Sequence, residues 1–371
     1  MTTIHRQNED ETVLVFRIGS MGDTAVALPA FRQIRRWFPR SRIVLLTNLP
    51  VDSGRKAASS IDILGKMGLV DRSIEYPHGS SSVYRLLHVL REIRKEGPRI
   101  CYFLVPQRGH VQRLRDRMFF HLAGIHTIVG LAADVMRHRP ASKAGGLWES
   151  EAARVMRAIG ARSSTLRLGD FSLELSAEER LVGQRALAEA GIKERFIAMS
   201  LGTKLPVNEW GDLRWTQCLK ALGEAVPGYS LVAIGSGVEF DRSGQVLRSW
   251  PWKTANLCGQ LAPRQSAAVL EKAQLFLGHD SGPMHLANAV GTPLVAVFSA
   301  RGMPGIWFPF GQTQNVIYRE VPCCGCGLEV CVEKKQKCVT DIGAEEVVAK
   351  ALKLLELQAN RECRCRPRCQ G

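Results

Sequence analysis

No apolar run in this chain approaches the roughly 20 residues that a membrane-crossing helix requires, so no transmembrane helix is expected. The first ten residues, MTTIHRQNED, lack the apolar core of a signal peptide, which gives a cytoplasmic expectation. Acidic residues are in short supply: 35 Asp and Glu stand against 50 Lys and Arg, a formal net charge of +15. Such an excess points to an anionic partner, whether nucleic acid, a phosphorylated saccharide or an anionic membrane face. There is no RNA-recognition signature, zinc finger or basic heptad zipper, so nucleic acid is set aside. The glycine fingerprint of dinucleotide-binding proteins is missing too.

What remains is an ordinary globular composition. The 371 residues are 45% hydrophobic and 23% charged, enough chain for two domains of common size. Apolar runs and amphipathic stretches alternate. Val13–Ile18 reads as a strand and Thr24–Phe38 as a helix with Ala27, Leu28, Phe31, Ile34 and Phe38 at helical spacing. Arg42–Thr47, Ser73–Tyr76, Arg99–Val105 and Ile128–Gly130 continue the strands, with helices between them. Leu131–Trp148 lacks periodicity and reads as a long loop. A second β-then-α series opens at Phe196–Ser200 and continues through Tyr229–Ile234, Gln274–Gly278 and Leu294–Phe298. Repeated β-then-α implies a doubly wound parallel sheet in each half. The expected division is residues 1–170, residues 171–358, and a disordered basic tail over 359–371.

Two turns carry the chemistry. In Leu277–Gly291, LGHDSGPMHLANAVG, a strand gives way to a small-residue turn and then a helix start. Unpaired amides and the helix dipole make such a start an anion site. Asp280 and His285 flank it. An N-capping aspartate and a packed histidine are the plainer alternative. Near the N-terminus, Gly19-Ser20-Met21-Gly22-Asp23 makes a similar turn at the carboxyl end of the first strand, where open α/β sheets place ligands. Asp23 serves either chemistry or the helix dipole.

The pair of segments RIGSMGDTAVALPAFRQIRRWFP and GHDSGPMHLANAVGTPLVAVFS, in that order and spacing, resembles the ADP-heptose:lipopolysaccharide heptosyltransferases, glycosyltransferase family 9. The resemblance covers roughly residues 13–350. It implies an α/β fold of the GT-B type, two facing Rossmann-like domains with parallel sheets. It also implies inverting transfer of heptose from ADP-heptose to a hydroxyl of a lipopolysaccharide-type or related cell-surface saccharide acceptor. The family's proposed general base falls on Asp23, beside Gly22. Ser281 and Gly282 match the backbone that holds the diphosphate, and Asp280 and His285 the polar pair near the donor. Thr203 and Lys204 match the loop after the first strand of the second half. Glu239, after Gly235-Ser236-Gly237, matches a carboxylate at the nucleotide ribose.

The resemblance implies no catalytic metal. Family members often carry a lysine just before the tryptophan of the 201–211 loop, whereas this chain has Asn208-Glu209-Trp210. Lys204 then either supplies the phosphate charge from elsewhere in the loop or is an ordinary exposed lysine. The acceptor is expected near Asp23 and the basic loop around Gln107, Arg108 and Arg113. Ile342–Leu357 reads as an amphipathic helix, either closing back onto the first domain or simply ending the second.

Eight of the eleven cysteines lie after residue 320. Within the Cys-rich loop 323–338, the spacing of Cys323, Cys326, Cys331 and Cys338 suits a structural zinc or iron ion. Free thiols, or a disulfide formed on isolation, are the alternatives. The arginines of the tail are expected against an anionic inner-membrane face. Two other readings remain open: another enzyme of nucleotide sugars, such as an epimerase, and a non-catalytic nucleotide-sugar-binding module.

Overall fold

Val13–Phe16 (β1) is four apolar residues, all buried, because neighbours pair with it on both edges and helices cover both faces. The computed structural model describes residues 11–48, 59–77, 82–141, 146–192 and 195–365, with side chains to residue 360. After β1 come Met21–Trp37 (α1), Ile43–Thr47 (β2), Ser60–Leu64 (α2), Arg72–Glu75 (β3), Val83–Glu96 (α3), Ile100–Phe103 (β4), His110–Leu122 (α4) and Thr127–Val129 (β5). All the strands are parallel, in the order β3-β2-β1-β4-β5. The chain therefore steps outward from β1 on one side, then returns to its other side. That reversal, between β1 and β4, is where ligand crevices form in such sheets.

The stretch expected as a long loop contains one short helical turn, Ala133–Met136 (α5), and a single antiparallel bridge between Pro140 and Trp148. Residues 142–145 within it, Gly145 among them, lie outside the described residues. Glu151–Ala158 (α6) follows. The segment after α6 is bound to α1: Arg32 donates to the carbonyl of Asp170 at 3.2 Å and of Ser172 at 2.6 Å, and pairs with Glu174 at 2.5 Å. The chain accordingly divides into two units between Glu174 and Leu175.

The second unit runs Ala177–Glu189 (α7), Phe196–Met199 (β6), Asp212–Ala225 (α8), Ser230–Ala233 (β7), Phe240–Leu247 (α9), Thr254–Asn256 (β8), Pro263–Leu270 (α10), Leu275–His279 (β9), Gly282–Ala289 (α11), Leu294–Val297 (β10), Val316–Ile317 (β11), Lys337–Thr340 (α12) and Ala344–Cys365 (α13). Its six strands are parallel in the order β11-β10-β9-β6-β7-β8. Met199 at the end of β6 pairs with Leu277 of β9 on one side and Ala233 of β7 on the other. The three loops that leave these strands thus start side by side.

One expectation about the C-terminal region needs correction. The tail from 359 is not disordered throughout, because α13 continues to Cys365. No glycine or proline interrupts the sequence until Pro367, and the residue before a proline disfavours helix. Residues 366–371 lie outside the described residues. Within the second unit the same helix packs on α8. Val347, Ala351 and Leu355 repeat at helical spacing and bury against Trp215, Leu219 and Leu222 in the core of the second unit.

Candidate functional site

In the first unit the helix α1 begins three residues earlier than its apolar periodicity suggests. Ser20 is its N-cap and Asp23 is its third residue. The Asp23 Oδ2 accepts from the Ser20 amide at 2.5 Å and from its hydroxyl at 2.7 Å, so the carboxylate ties back to the residue that opens the helix. Oδ1 accepts no hydrogen bond from the described residues, and the nearest cation is Arg17 at 3.8 Å. Both earlier readings of Asp23 therefore meet in one side chain: one oxygen serves the helix, the other is available. Gly19 makes this geometry feasible. Its φ is +146°, and a Cβ there would stand 2.6 Å from the Asp23 carboxyl carbon. Gly22 is buried in the first turn of α1.

Behind Asp23 lies a group of charges that periodicity did not expose. Arg17, wholly buried, donates to the backbone carbonyls of Asp23 and Leu104 and stands 3.4 Å from Glu151. Glu151, also wholly buried, accepts from Arg154 through both oxygens at 2.7 Å and meets His138 at 3.0 Å. Burial alone would raise the Glu151 carboxyl; the hydrogen bonds and charge of Arg154, with His138 and Arg17, outweigh it and hold the acid far below its usual range. The only hint in the sequence is an arginine inside the otherwise apolar VLVFRI. Of the expected basic loop, Arg108 is committed elsewhere: its guanidinium lies 3.2 Å from buried Asp116.

In the second unit the expected residues gather on three adjacent loops. Thr203 and Lys204 follow β6, Glu239 follows β7, and Asp280, Ser281, Gly282 and His285 follow β9. Thr203 donates its hydroxyl to the Leu205 carbonyl at 2.7 Å, and Lys204 is exposed. Glu239 lies directly over two glycines. A Cβ on either Gly202 or Gly235 would collide with its carboxyl group, so both loops need glycine for the acid to sit where it does. Its Oε1 accepts from the Ser236 hydroxyl at 2.7 Å, while Oε2 is buried without a partner. Burial pushes this acid up, against the opposing pull of the Ser236 hydrogen bonds.

Ser281 caps α11, with Gly282 and Pro283 as its first two residues, so one of the early amides is missing at no cost. The Ser281 hydroxyl is buried with no hydrogen-bond partner. His285 is buried and meets the Trp307 ring edge-on at 6.5 Å between centroids. One residue before Asp280, His279 is fully buried. Its Nε2 accepts from the Trp210 amide at 2.9 Å and the Trp215 indole at 3.1 Å. Two donors on one nitrogen fix a neutral ring, and burial, aided by the charge of Arg242, lowers its pKa to about 3. This histidine anchors the 201–211 loop to the end of β9. In that loop Glu209, where a lysine was expected near the tryptophan, is paired with Arg242 at 2.9 Å, which also holds Asp212 at 2.7 Å.

The four-thiolate site expected at Cys323, Cys326, Cys331 and Cys338 is not assembled. Among the described residues no three His, Cys, Asp or Glu side chains stand together as a metal site. All four thiols are free. Cys338 sits on α12 and sinks into the core of the second unit, while Cys323 and Cys326 face solvent. The loop instead leans on its neighbours: the Glu329 carbonyl accepts from Val207 at 3.1 Å, Gln336 donates to Pro206 at 2.7 Å, and Arg301 donates to Leu328 at 2.6 Å.

Residues 167–337 match the model of glycosyltransferase family 9 (heptosyltransferase). Lipopolysaccharide heptosyltransferase 3 of Escherichia coli is 30% identical over 150 residues, which are 38% of this chain and 42% of that protein. Against the curated relatives it matches, this chain spans only 35% to 50% of their length. Two solved structures share the fold almost end to end. The family 9 glycosyltransferase of Veillonella parvula has a TM-score of 0.69 at 18% identity, covering 95% of this chain and 99% of that one. The E. coli ADP-heptose lipopolysaccharide heptosyltransferase II has a TM-score of 0.65 at 18% identity, covering 94% and 99%.

Proposed function

We propose that the chain is an inverting heptosyltransferase of glycosyltransferase family 9, a reading supported by the match of residues 167–337 to that family's model and by an α/β fold of the GT-B type. In this reading it moves heptose from ADP-heptose to a hydroxyl of a lipopolysaccharide-type cell-surface saccharide. The observation that carries it is Glu239, seated over Gly202 and Gly235 with one oxygen buried and unpartnered. A carboxylate so placed, in the loop after β7 and beside the loop that leaves β6, suits the two hydroxyls of a ribose. The diphosphate would lie at the start of α11, on the Ser281–Gly282 backbone with the unpartnered Ser281 hydroxyl. Thr203, Asp280 and His285 would orient the donor, and exposed Lys204 would add charge.

The first unit would serve the acceptor. Asp23 takes the acceptor hydroxyl's proton on Oδ1 as that oxygen attacks the anomeric carbon. The bond from that carbon to the diphosphate breaks on the opposite face, and ADP leaves with the electron pair. Amides and cations offset the charge that develops on it. The excess of cations supports peripheral contact with an anionic inner-membrane face.

The test is ADP release from ADP-heptose in the presence of a lipopolysaccharide core acceptor. Asp23→Asn should cut turnover by about 10² or more while ADP affinity holds. Unchanged turnover in Asp23→Asn would reject the base assignment. If heptose stays on the donor with every core acceptor offered, the transferase reading fails.

A further inference from the structure

Helices α3 and α4 cover the same face of the first sheet. Val89, Leu90 and Ile93 of one and Phe120 of the other share a single core cluster. Arg94 near the end of α3 donates to the Leu122 carbonyl at the end of α4, at 2.9 and 2.5 Å, so the two helices meet at their carboxyl ends. Their outward sides are unusual. Of the eighteen exposed large apolar side chains among the described residues, seven lie on these two helices.

On α4 the exposed set is Val111, Leu114, Met118 and Leu122, from 53% to 78% exposed. At 3.6 residues per turn these four fall within a stripe about 80° wide. The stripe lies opposite buried Asp116 and Phe120. On α3, Tyr84 is 87% exposed and Leu87 lies one turn further on. The flanks of these stripes are cationic. Arg115 borders one side of the α4 stripe and Arg117 the other, while Arg85 and Arg91 border the α3 residues. Among the described residues no carboxylate pairs with Arg85, Arg91 or Arg117. The acids of the two helices are spoken for: Asp116 is buried against Arg108, and Glu92 and Glu96 are held by Arg72.

We propose that this α3–α4 face docks on an anionic lipid bilayer. An aliphatic stripe flanked by arginines is the cross-section of an interfacial helix, with cations at headgroup depth and apolar side chains at the acyl boundary. Tyr84 suits the interface, its ring apolar and its hydroxyl wet. A nucleic acid would call for stacking rings where this face offers aliphatic chains. A second copy packed on it by two-fold symmetry would set arginine against arginine. Both helices begin at the carboxyl edge of the sheet, the same edge as Gly19–Asp23. A docked bilayer would therefore lie near the acceptor side of the unit, which is where a lipid-anchored saccharide is needed. The choice of partner deepens the peripheral-contact reading above and rests on it; the surface itself does not.

The test is co-sedimentation of the full chain with vesicles of phosphatidylethanolamine and phosphatidylglycerol, and with phosphatidylcholine alone. The wild type should partition to the anionic vesicles and lose that partition as salt rises. Leu114→Glu/Met118→Glu should weaken it by at least about tenfold. Arg85→Gln/Arg91→Gln/Arg117→Gln should remove the dependence on anionic lipid. ADP titration reports that each variant is folded and reads the donor site separately. The proposal is overturned if the wild type ignores anionic vesicles, or if the apolar variant binds them as the wild type does. It is also overturned if the wild type is a dimer that the apolar variant splits. Loss of ADP binding in the wild type, with vesicle binding intact, would sink the transferase reading and leave this surface standing.

Discussion

Arg17 donates from its buried guanidinium to the backbone carbonyl of Asp23 and stands 3.8 Å from that residue's Oδ1. A buried cation at the end of β1 thus fixes the first turn of α1 from behind, while Ser20 fixes it from the front. Three acceptors share this one guanidinium: the carbonyls of Leu104 and Asp23, and Glu151. A lysine has one nitrogen and cannot reach all three. Arg17→Lys is therefore expected to destabilise the fold by about 2–4 kcal/mol, because acceptors are left unpaired in the interior. Urea unfolding reads this directly, and a midpoint equal to the wild type would show that the buried network does not need the planar fork.

Glu151 gives the same network a pH signature. Its acid is held well below the ordinary value of 4.5 in the folded chain. A depressed carboxyl stabilises the fold above its unfolded pKa, and that contribution is lost as pH falls through and below it. Stability should drop on acidification from about pH 5, and Glu151→Gln should flatten that slope while lowering stability at neutral pH. Parallel slopes in the two proteins would count against the ion network.

His279 acts in a neighbouring pH range. It is neutral when folded, with a pKa near 3, against 6.5 when exposed. The unfolded chain binds the proton first, so its contribution is complete above about pH 6.5 and declines as pH falls toward 3, at up to about 1.4 kcal/mol per pH unit. Because Trp210 and Trp215 both donate to it, His279→Phe should also release the 201–211 loop. Tryptophan fluorescence against pH would show the transition in the wild type and its absence in the variant.

The glycines beneath Glu239 offer a test of the donor site that leaves the acid in place. Gly202→Ala or Gly235→Ala puts a methyl where the carboxyl group now lies. Either should displace Glu239 and weaken ADP binding by about tenfold or more, close to the effect of Glu239→Ala. Since burial raises this acid, ADP affinity should also fall toward low pH earlier than an exposed carboxylate would require. Full affinity in both alanine variants would remove Glu239 from the ribose role.

The strands were legible because β1, β2, β6, β9 and β10 are apolar runs bounded by glycine, proline or polar turns. Their parallel pairing followed from the intervening amphipathic helices. The two-residue β11 and the short α9 and α12 carry too little pattern to be read. The site loops were legible through small residues at strand ends, and through the paired segments around Asp23 and Asp280. Arg17 was not, because one arginine in an apolar strand does not reveal which way it faces. The thiol loop was legible in part. Cys338 lies within electrostatic reach of Cys323, Cys326 and Cys331, but it is buried while Cys323 and Cys326 are exposed, and spacing along the chain does not reveal that difference.

The central claim is that the second unit holds an ADP-sugar through Glu239 and the start of α11. Calorimetric titration of the purified chain with ADP, UDP and GDP, with no metal added, tests it most directly. The account predicts preferential binding of ADP that Glu239→Ala weakens. Preference for UDP or GDP, or ADP binding indifferent to Glu239→Ala, would contradict it.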